Sequence, residues 1–310
     1  MKVSIIGIGS VGGAIATAVH NTGLVHEMVL FDRDAIRARA AAEDLGHASA
    51  FGFDVKISAA ANYREVRGSD IVIIAAGANQ KPGQTRTDLL AANAAVITDI
   101  VPNVMKYVDS RKVVLIMVTN PLDVMVTLAQ KLSGLPAARV IGTGTMLDSA
   151  RFRIILSRML SVSPASVSAF VLGEHGDSSV LNWSAATVGG LPLDDFAKQV
   201  KSPISAAARK TIEYRVRNAA YEIIQGRGAT WDGIGAAAAD LVRVISNDEK
   251  RVLTVSSAGD RTVAAISLPR VVGASGVIAT LAPKMNASES SALKKSAAVI
   301  NGNWKIIAGK

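Results

Sequence analysis

Gly7-Ile8-Gly9-Ser10-Val11-Gly12 follows a compact apolar run, residues 3–6, and opens a helix-like stretch, residues 10–20. A strand–loop–helix dinucleotide cradle requires such glycines. The first permits the tight turn, the second lets a pyrophosphate approach the backbone, and the third lets helix and strand pack closely. The free amides at the helix start then face the phosphates. Taken alone the pattern is short, and a plain glycine turn would match it. Its place between a strand and a helix is what gives it weight. Asp32 ends the next apolar run, 28–31, and stands 20 residues beyond Gly12. An acid there accepts hydrogen bonds from the adenosine ribose hydroxyls and repels the extra phosphate of NADP, which predicts NAD as the cofactor. Arg33, the next residue, would soften that preference.

Working outward, the first half alternates β-type runs with helical patterns. Residues 71–75 and 113–118 are continuous apolar runs, as expected of strands buried on both faces of a parallel sheet. Residues 33–50 and 87–108 between the runs have helical character. This alternation predicts an α/β fold with a doubly wound parallel sheet. The second half is less regular. Helical patterns at 145–160, 202–225, 234–245 and 288–300 mix with strand-like runs at 166–172, 252–256, 263–267 and 271–272. These predict an α+β unit with its own antiparallel strands. A glycine-rich turn at 142–144 suggests the division 1–143 and 144–310.

Composition narrows the function classes. Of 310 residues, 49% are hydrophobic, enough for one large core or two modest ones. There is no cysteine, which excludes disulfide frameworks, thiolate nucleophiles and zinc–cysteine sites, and fits a reducing cytoplasm. No metal site is predicted. The apolar N-terminal run is too short for a signal peptide, and no segment reads as a membrane span. The net charge is +9, but the basic residues are dispersed and aromatics make up only 4%. Anionic metabolites suit this balance better than nucleic acid or a membrane surface.

Chemistry concentrates in four segments. Gly173-Glu174-His175-Gly176-Asp177-Ser178 holds one of only four histidines, in a glycine-flanked loop. His20 and His26 read as surface residues bordering the first helix, and His47 as structural. Asp148 and Arg151 lie three apart on a predicted helix, hence on one face. They form either a local surface ion pair or something more useful: Asp148 orienting the His175 imidazole and Arg151 clamping a substrate carboxylate. The third segment, from Gly77-Ala78-Asn79-Gln80 to Thr85-Arg86, leaves the carboxyl edge of the sheet, where ligands bind in open α/β folds. As a lid it would carry Arg86 over a substrate and exclude water. Thr119-Asn120-Pro121 reaches the same edge, although asparagine before proline is also ordinary turn chemistry.

Together these segments resemble the L-lactate/L-malate dehydrogenase family. The similarity runs through GIGSVG, FDRD, AGANQKPGQTR, TNPLDV, GTGTMLDSARFR, GEHGDS, GATWDGIG and SNDEKRVLTVSS, almost the whole chain. It implies an N-terminal Rossmann domain that binds NAD through Gly7, Gly9, Val11, Gly12, Asp32, Gly77 and Asn120. It also implies a C-terminal α+β substrate domain. In that likeness His175 is the acid/base, Asp148 its partner, Arg151 the carboxylate anchor and Arg86 the group that polarises the carbonyl. Asn120 stands beside the nicotinamide and the reacting oxygen.

The resemblance also bears on the substrate. At the position of Gln80, malate-type members resemble one another in carrying arginine, which pairs with a second carboxylate. Gln80 is neutral, so a dicarboxylate would bring an unpaired charge into a closing site, which is costly. Thr230 matches the lactate-type wall beside the pyruvate methyl. These residues point to lactate/pyruvate, with another monocarboxylic 2-hydroxy acid or malate as alternatives. A non-catalytic dinucleotide- or RNA-binding protein is the alternative outside enzymes. Trp231-Asp232 departs from the family pattern and leaves the pocket's size and charge open. Members activated by fructose 1,6-bisphosphate carry an arginine and a histidine at a subunit interface. Arg153 matches the arginine, but Ser168 stands at the histidine position, which predicts weak or absent activation. The chain begins at its first strand without an N-terminal arm. By resemblance a homo-oligomer is expected, a tetramer or a dimer, with the tetramer favoured; the sequence does not fix the subunit count.

Overall fold

The computed structural model describes residues 1–78, 86–258 and 264–309, and of Arg86 the backbone alone. Six short strands run parallel: β1 (Lys2–Ile6), β2 (Glu27–Phe31), β3 (Lys56–Ala59), β4 (Ile71–Ile74), β5 (Val114–Met117) and β6 (Val140–Gly142). Their spatial order, β3-β2-β1-β4-β5-β6, reverses direction beside β1 and β4, the place where doubly wound sheets open a ligand crevice. Every residue of β4 and β5 is buried, which explains why both read as unbroken apolar runs. Helices α1 (Ser10–His20), α2 (Ala35–Ala48), α3 (Arg86–Met105) and α4 (Leu122–Ser133) complete this half.

The second half contributes α5 (Met146–Leu160), β7 (Val167–Leu172), β8 (Val180–Val188), β9 (Leu191–Pro192), α6 (Leu193–Gln199), α7 (Ala206–Arg227), α8 (Asp232–Ser246), β10 (Arg251–Ser257), β11 (Ile266–Gly273), β12 (Gly276–Thr280) and α9 (Ala287–Ala308). The antiparallel strands expected of this half are present, divided between two sheets. Strand β10 pairs antiparallel with β6, through Ser256 and Gly142, and brings β11 and β12 with it. The main sheet therefore has nine strands and runs across the 143/144 position. A smaller antiparallel sheet, β7-β8-β9, forms apart from it.

Three apolar clusters hold these layers. One lies on the sheet face covered by α1, α2 and α8, and one on the face covered by α3, α4 and α9. The third joins α5, α6 and α7 to the small sheet. At its centre Phe152 is fully buried and meets Trp183 edge-on, with centroids 4.7 Å apart.

Several readings change. Strands β3, β8, β9 and β12 lack a clean apolar signal and were not foreseen. The runs expected at 263–267 and 271–272 are joined in one strand, β11, although Pro269 and Arg270 interrupt its apolar pattern; residue 263 lies outside the described residues. The β12 ladder stops at Arg270, so the missing N–H of Pro269 falls beyond its end. Arg270 is buried because backbone carbonyls of Ile266 and Ser257 accept its guanidinium N–H groups at 2.7 and 3.1 Å. His20 is not a surface residue. It is 1% exposed, and its ring nitrogens lie 3.2 Å from Asn21 Oδ1 and Ser49 Oγ. Residues Thr87–Met105 do reach the length and apolarity of a membrane span, contrary to the sequence reading. Yet Leu90, Ile97, Val101 and Val104 of that helix are buried against the sheet.

Truncating Phe152 to Ala should open a cavity beneath Trp183. We expect a loss of about 3–5 kcal/mol in unfolding free energy, measured by urea denaturation.

Candidate active site

The loop after β1 and the loop after β4 leave the sheet side by side and border a cleft of about 560 Å³. Gly7, Gly9, Val11, Gly12, Asp32 and Gly77, assigned to the cofactor by the motif or by resemblance, line it, whereas Asn120 of the same set is not among its lining residues. Gly7 has φ +94°, and a Cβ there would stand 2.4 Å from the Ala76 backbone. A Cβ on Gly12 would stand 1.8 Å from the Gly7 carbonyl oxygen. These two glycines thus set the turn and the close packing of α1. Gly9 differs: nothing lies within 4 Å of its Cβ position. A side chain there would project into the cleft that Gly9 lines, so its absence leaves room for a pyrophosphate. On these observations the residues fit a dinucleotide.

Asp32 is fixed at the end of β2. Its Oδ2 accepts the Ile8 N–H at 2.7 Å and its Oδ1 the Asp34 N–H at 2.9 Å. Arg37, which the sequence reading did not single out, approaches Asp32 at 3.8 Å and also lines the cleft. So does Tyr63, whose ring stacks on Phe31 with centroids 4.4 Å apart. Burial, then the nearby Asp99, push the Tyr63 hydroxyl up to about 12, so it stays neutral near pH 7.

His175, Asp148 and Arg151 come together as expected. His175 follows β7 in a loop, while Asp148 and Arg151 sit near the start of α5. The His175 Nδ1 lies 2.8 Å from Asp148 Oδ2, and Arg151 Nη1 donates to Asp148 Oδ1 at 2.9 Å. The three side chains are 27%, 10% and 15% exposed, so solvent screens them little. Among the described residues Nη1 is the one paired guanidinium nitrogen of Arg151, which leaves donors for an incoming carboxylate. Burial disfavours the imidazolium, but the charge and hydrogen bond of Asp148, with Asp123, outweigh it and raise the His175 pKa. Burial likewise works against the Asp148 carboxylate. His175 and then Arg151 prevail, and its pKa falls below the usual range.

Asn120 follows β5, and its peptide bond to Pro121 is cis. Its carbonyl accepts from Asn93 Nδ2 at 2.8 Å, and Asn93 Oδ1 accepts the Ala78 N–H at 2.7 Å. Buried Asn93 therefore ties together the two loops at the carboxyl edge. It escaped sequence reading because a single asparagine in a helical stretch carries no signal. Thr230 lies in the turn between α7 and α8, and its neighbour Ala229 lines the cleft. Trp231 and Asp232 are both engaged by Arg227. Its guanidinium lies 4.1 Å over the indole and bonds the carboxylate at 2.6 Å. The Asp232 carboxylate thus forms a surface ion pair with a neighbouring cation. Gln80 and the Arg86 side chain lie outside the described residues.

Residues 1–142 match the family description "lactate/malate dehydrogenase, NAD binding domain", and residues 145–308 match "lactate/malate dehydrogenase, alpha/beta C-terminal domain". The chain belongs to the lactate/malate dehydrogenase family. Its relatives include an L-lactate dehydrogenase of Thermus aquaticus, 48% identical over 97% of this chain and 98% of that protein. Another, of Allorhizobium ampelinum, is 46% identical over 97% of each. Among solved structures, the minor L-lactate dehydrogenase of Enterococcus mundtii superposes with a TM-score of 0.93 at 36% identity, over 98% of this chain and 97% of that one. The fold is thus shared at modest identity, and the family description of residues 1–142 carries the NAD cofactor.

The raised His175 pKa has a measurable consequence for stability. A group that holds its proton more tightly when folded contributes fully below its ordinary value of 6.5 and loses that contribution as pH rises through the raised value. The melting-temperature advantage of wild type over His175→Asn should therefore shrink as pH climbs through this window. Parallel curves would contradict the pairing.

Proposed function

We propose that this chain is an L-lactate dehydrogenase, interconverting pyruvate and L-lactate with NAD(H). The observation that carries the hydroxy-acid dehydrogenase chemistry is the Asp148–His175 contact, with Arg151 on the same carboxylate. It supplies a held proton and a carboxylate anchor side by side. When bound, NAD(H) delivers or accepts the hydride at the substrate's second carbon. In reduction, protonated His175 gives its proton to the oxo oxygen. In oxidation, neutral His175 takes the hydroxyl proton. Asp148 fixes Nδ1 and so leaves Nε2 for the substrate. Arg151 clamps the carboxylate with its unpaired N–H groups. Arg86, brought over the substrate, stabilises negative charge on the reacting oxygen. Asn120 stands beside the same oxygen, and Asp32 sets the preference for NAD.

Gln80 and Thr230 select the substrate. A neutral lid residue accepts the pyruvate methyl and leaves a second carboxylate unpaired. The division at 143/144 separates the cofactor residues from His175, Asp148 and Arg151, and we assign the two parts those roles. We further propose a cytoplasmic enzyme of glycolytic pyruvate metabolism, assembled as a homotetramer. Fructose 1,6-bisphosphate should activate it weakly or not at all. Arg153 faces Arg251 and Asp240, and Ser168 is exposed on β7 with no positive charge to offer.

The decisive experiment is NADH oxidation with a panel of 2-oxo acids. Pyruvate should exceed oxaloacetate in kcat/KM by at least about tenfold, and Gln80→Arg should reverse that order. A wild type that already prefers oxaloacetate would overturn the substrate assignment. His175→Ala should lower kcat by about a hundred- to ten-thousand-fold while leaving NADH binding intact, as fluorescence titration would show. With Asp32→Ser, the ratio of NADH to NADPH use should fall.

A further inference from the structure

Asp123 lies in the first turn of α4, three residues beyond Asn120, and is 2% exposed. Its Oδ2 accepts the backbone N–H of His175 at 2.8 Å, and its Oδ1 accepts the Ser256 hydroxyl at 2.5 Å. Neither partner is a cation in direct contact. Two neutral donors do not need a carboxylate, because an asparagine or a serine would satisfy them without burying a charge. The position at a helix N-terminus offsets part of that cost. The remaining charges around it are His175 and Glu174 on the following loop and Arg270 on β11. His175 in turn faces Asp148 and Arg151 on α5. The imidazole is therefore flanked by carboxylates from two separate elements, only one of which touches the ring.

We propose that Asp123 is a positioning residue for the proton transfer: it clamps the His175 backbone to the start of α4, and its negative charge holds the proton on the imidazole. This rests on the function proposed above. The clamp also explains the placement of the loop. Asn120 and Asp123 share one short segment, so the residue assigned to the reacting oxygen and the anchor of the proton carrier move as a unit. Burial pushes the Asp123 carboxyl up to about 6, against the hydrogen bonds of Ser256 and of the His175 N–H. Its charge therefore fades in the pH range where histidines titrate, and each group's ionisation favours the other's.

Asp123→Asn separates the two roles. Its Oδ1 still accepts the His175 N–H, and the Ser256 hydroxyl can rotate to accept from the new amide, so both contacts survive without the charge. With only four histidines in the chain, ¹³C labelling of the imidazoles and the His175→Asn variant identify the His175 resonance. In Asp123→Asn the His175 pKa should drop by at least about 0.5 unit. The alkaline decline of pyruvate reduction should shift down equally, so kcat/KM above that limb falls about threefold with NADH affinity unchanged. Should Asp123→Asn not fold, Ser256→Ala carries the test. Losing that donor raises the Asp123 pKa, so less charge supports the imidazolium and the His175 pKa again falls. An unmoved His175 titration in a folded, active variant overturns the proposal and leaves the dehydrogenase reading standing. A shifted titration in a protein that consumes no 2-oxo acid supports the electrostatic link and overturns that reading instead.

Discussion

The 2.8 Å contact between His175 Nδ1 and Asp148 Oδ2 joins a loop after β7 to the first turn of α5, and much of the second half is arranged so that it persists. A hydrogen bond between an imidazole and a carboxylate is valuable only where water is largely kept out and both partners are held. The holding is done by small hydroxyls. Ser149 Oγ accepts the Val171 N–H at 2.8 Å and meets Thr254 Oγ1 at 2.9 Å. Thr145 donates to the Val171 carbonyl. Helix α5 is thereby stitched to β7 and β10 by Thr145, three residues before Asp148, and by Ser149, the residue after it, and Phe152 locks the next turn into the third apolar cluster.

The loop carrying His175 is held from the other side by the nine-stranded sheet. Gly173 exchanges backbone hydrogen bonds with Ser267 of β11 at 2.9 and 3.0 Å. Strand β10 brings Ser256 beneath Asp123, and Asp123 holds the His175 amide. So the antiparallel extension of the main sheet is not a decoration of the cofactor domain. It is the frame that sets His175 against the carboxyl edge from which the cleft opens. The buried Arg270 serves this frame, taking carbonyls on both strands of the β10–β11 pair.

The cleft itself shows a different economy. Close approach of backbone to backbone at Gly7 and Gly12 shapes it, and open space at Gly9 leaves it accessible. Asp32 gains its orientation from two backbone N–H groups before any ligand arrives. Preorganised acceptors lose little entropy when a ligand's donors meet them. Arg37 nearby tempers the negative potential without making direct hydrogen-bonded contact with Asp32.

Much of this was legible in the residues. Continuous apolar runs and a glycine motif between strand and helix dictate a parallel sheet with a cleft at its carboxyl edge, because periodicity and glycine sterics are local properties. The three-residue spacing of Asp148 and Arg151 is local as well, and helix geometry alone puts them on one face. The pairing of Asp148 with His175 is only one of two readings that the residues allow, and resemblance favours it; spacing is silent, since 27 residues separate them. Other features had no local signature. Strand β8 mixes apolar and polar residues because one part faces the third cluster and another meets α9, so no simple alternation survives. Burial of His20 depends on Ser49, 29 residues away. The joining of β10 to β6 and the anchoring of His175 by Asp123 arise from long-range packing. Side chains and strand edges find their partners only when the chain has folded, and there tertiary structure alone decided the outcome.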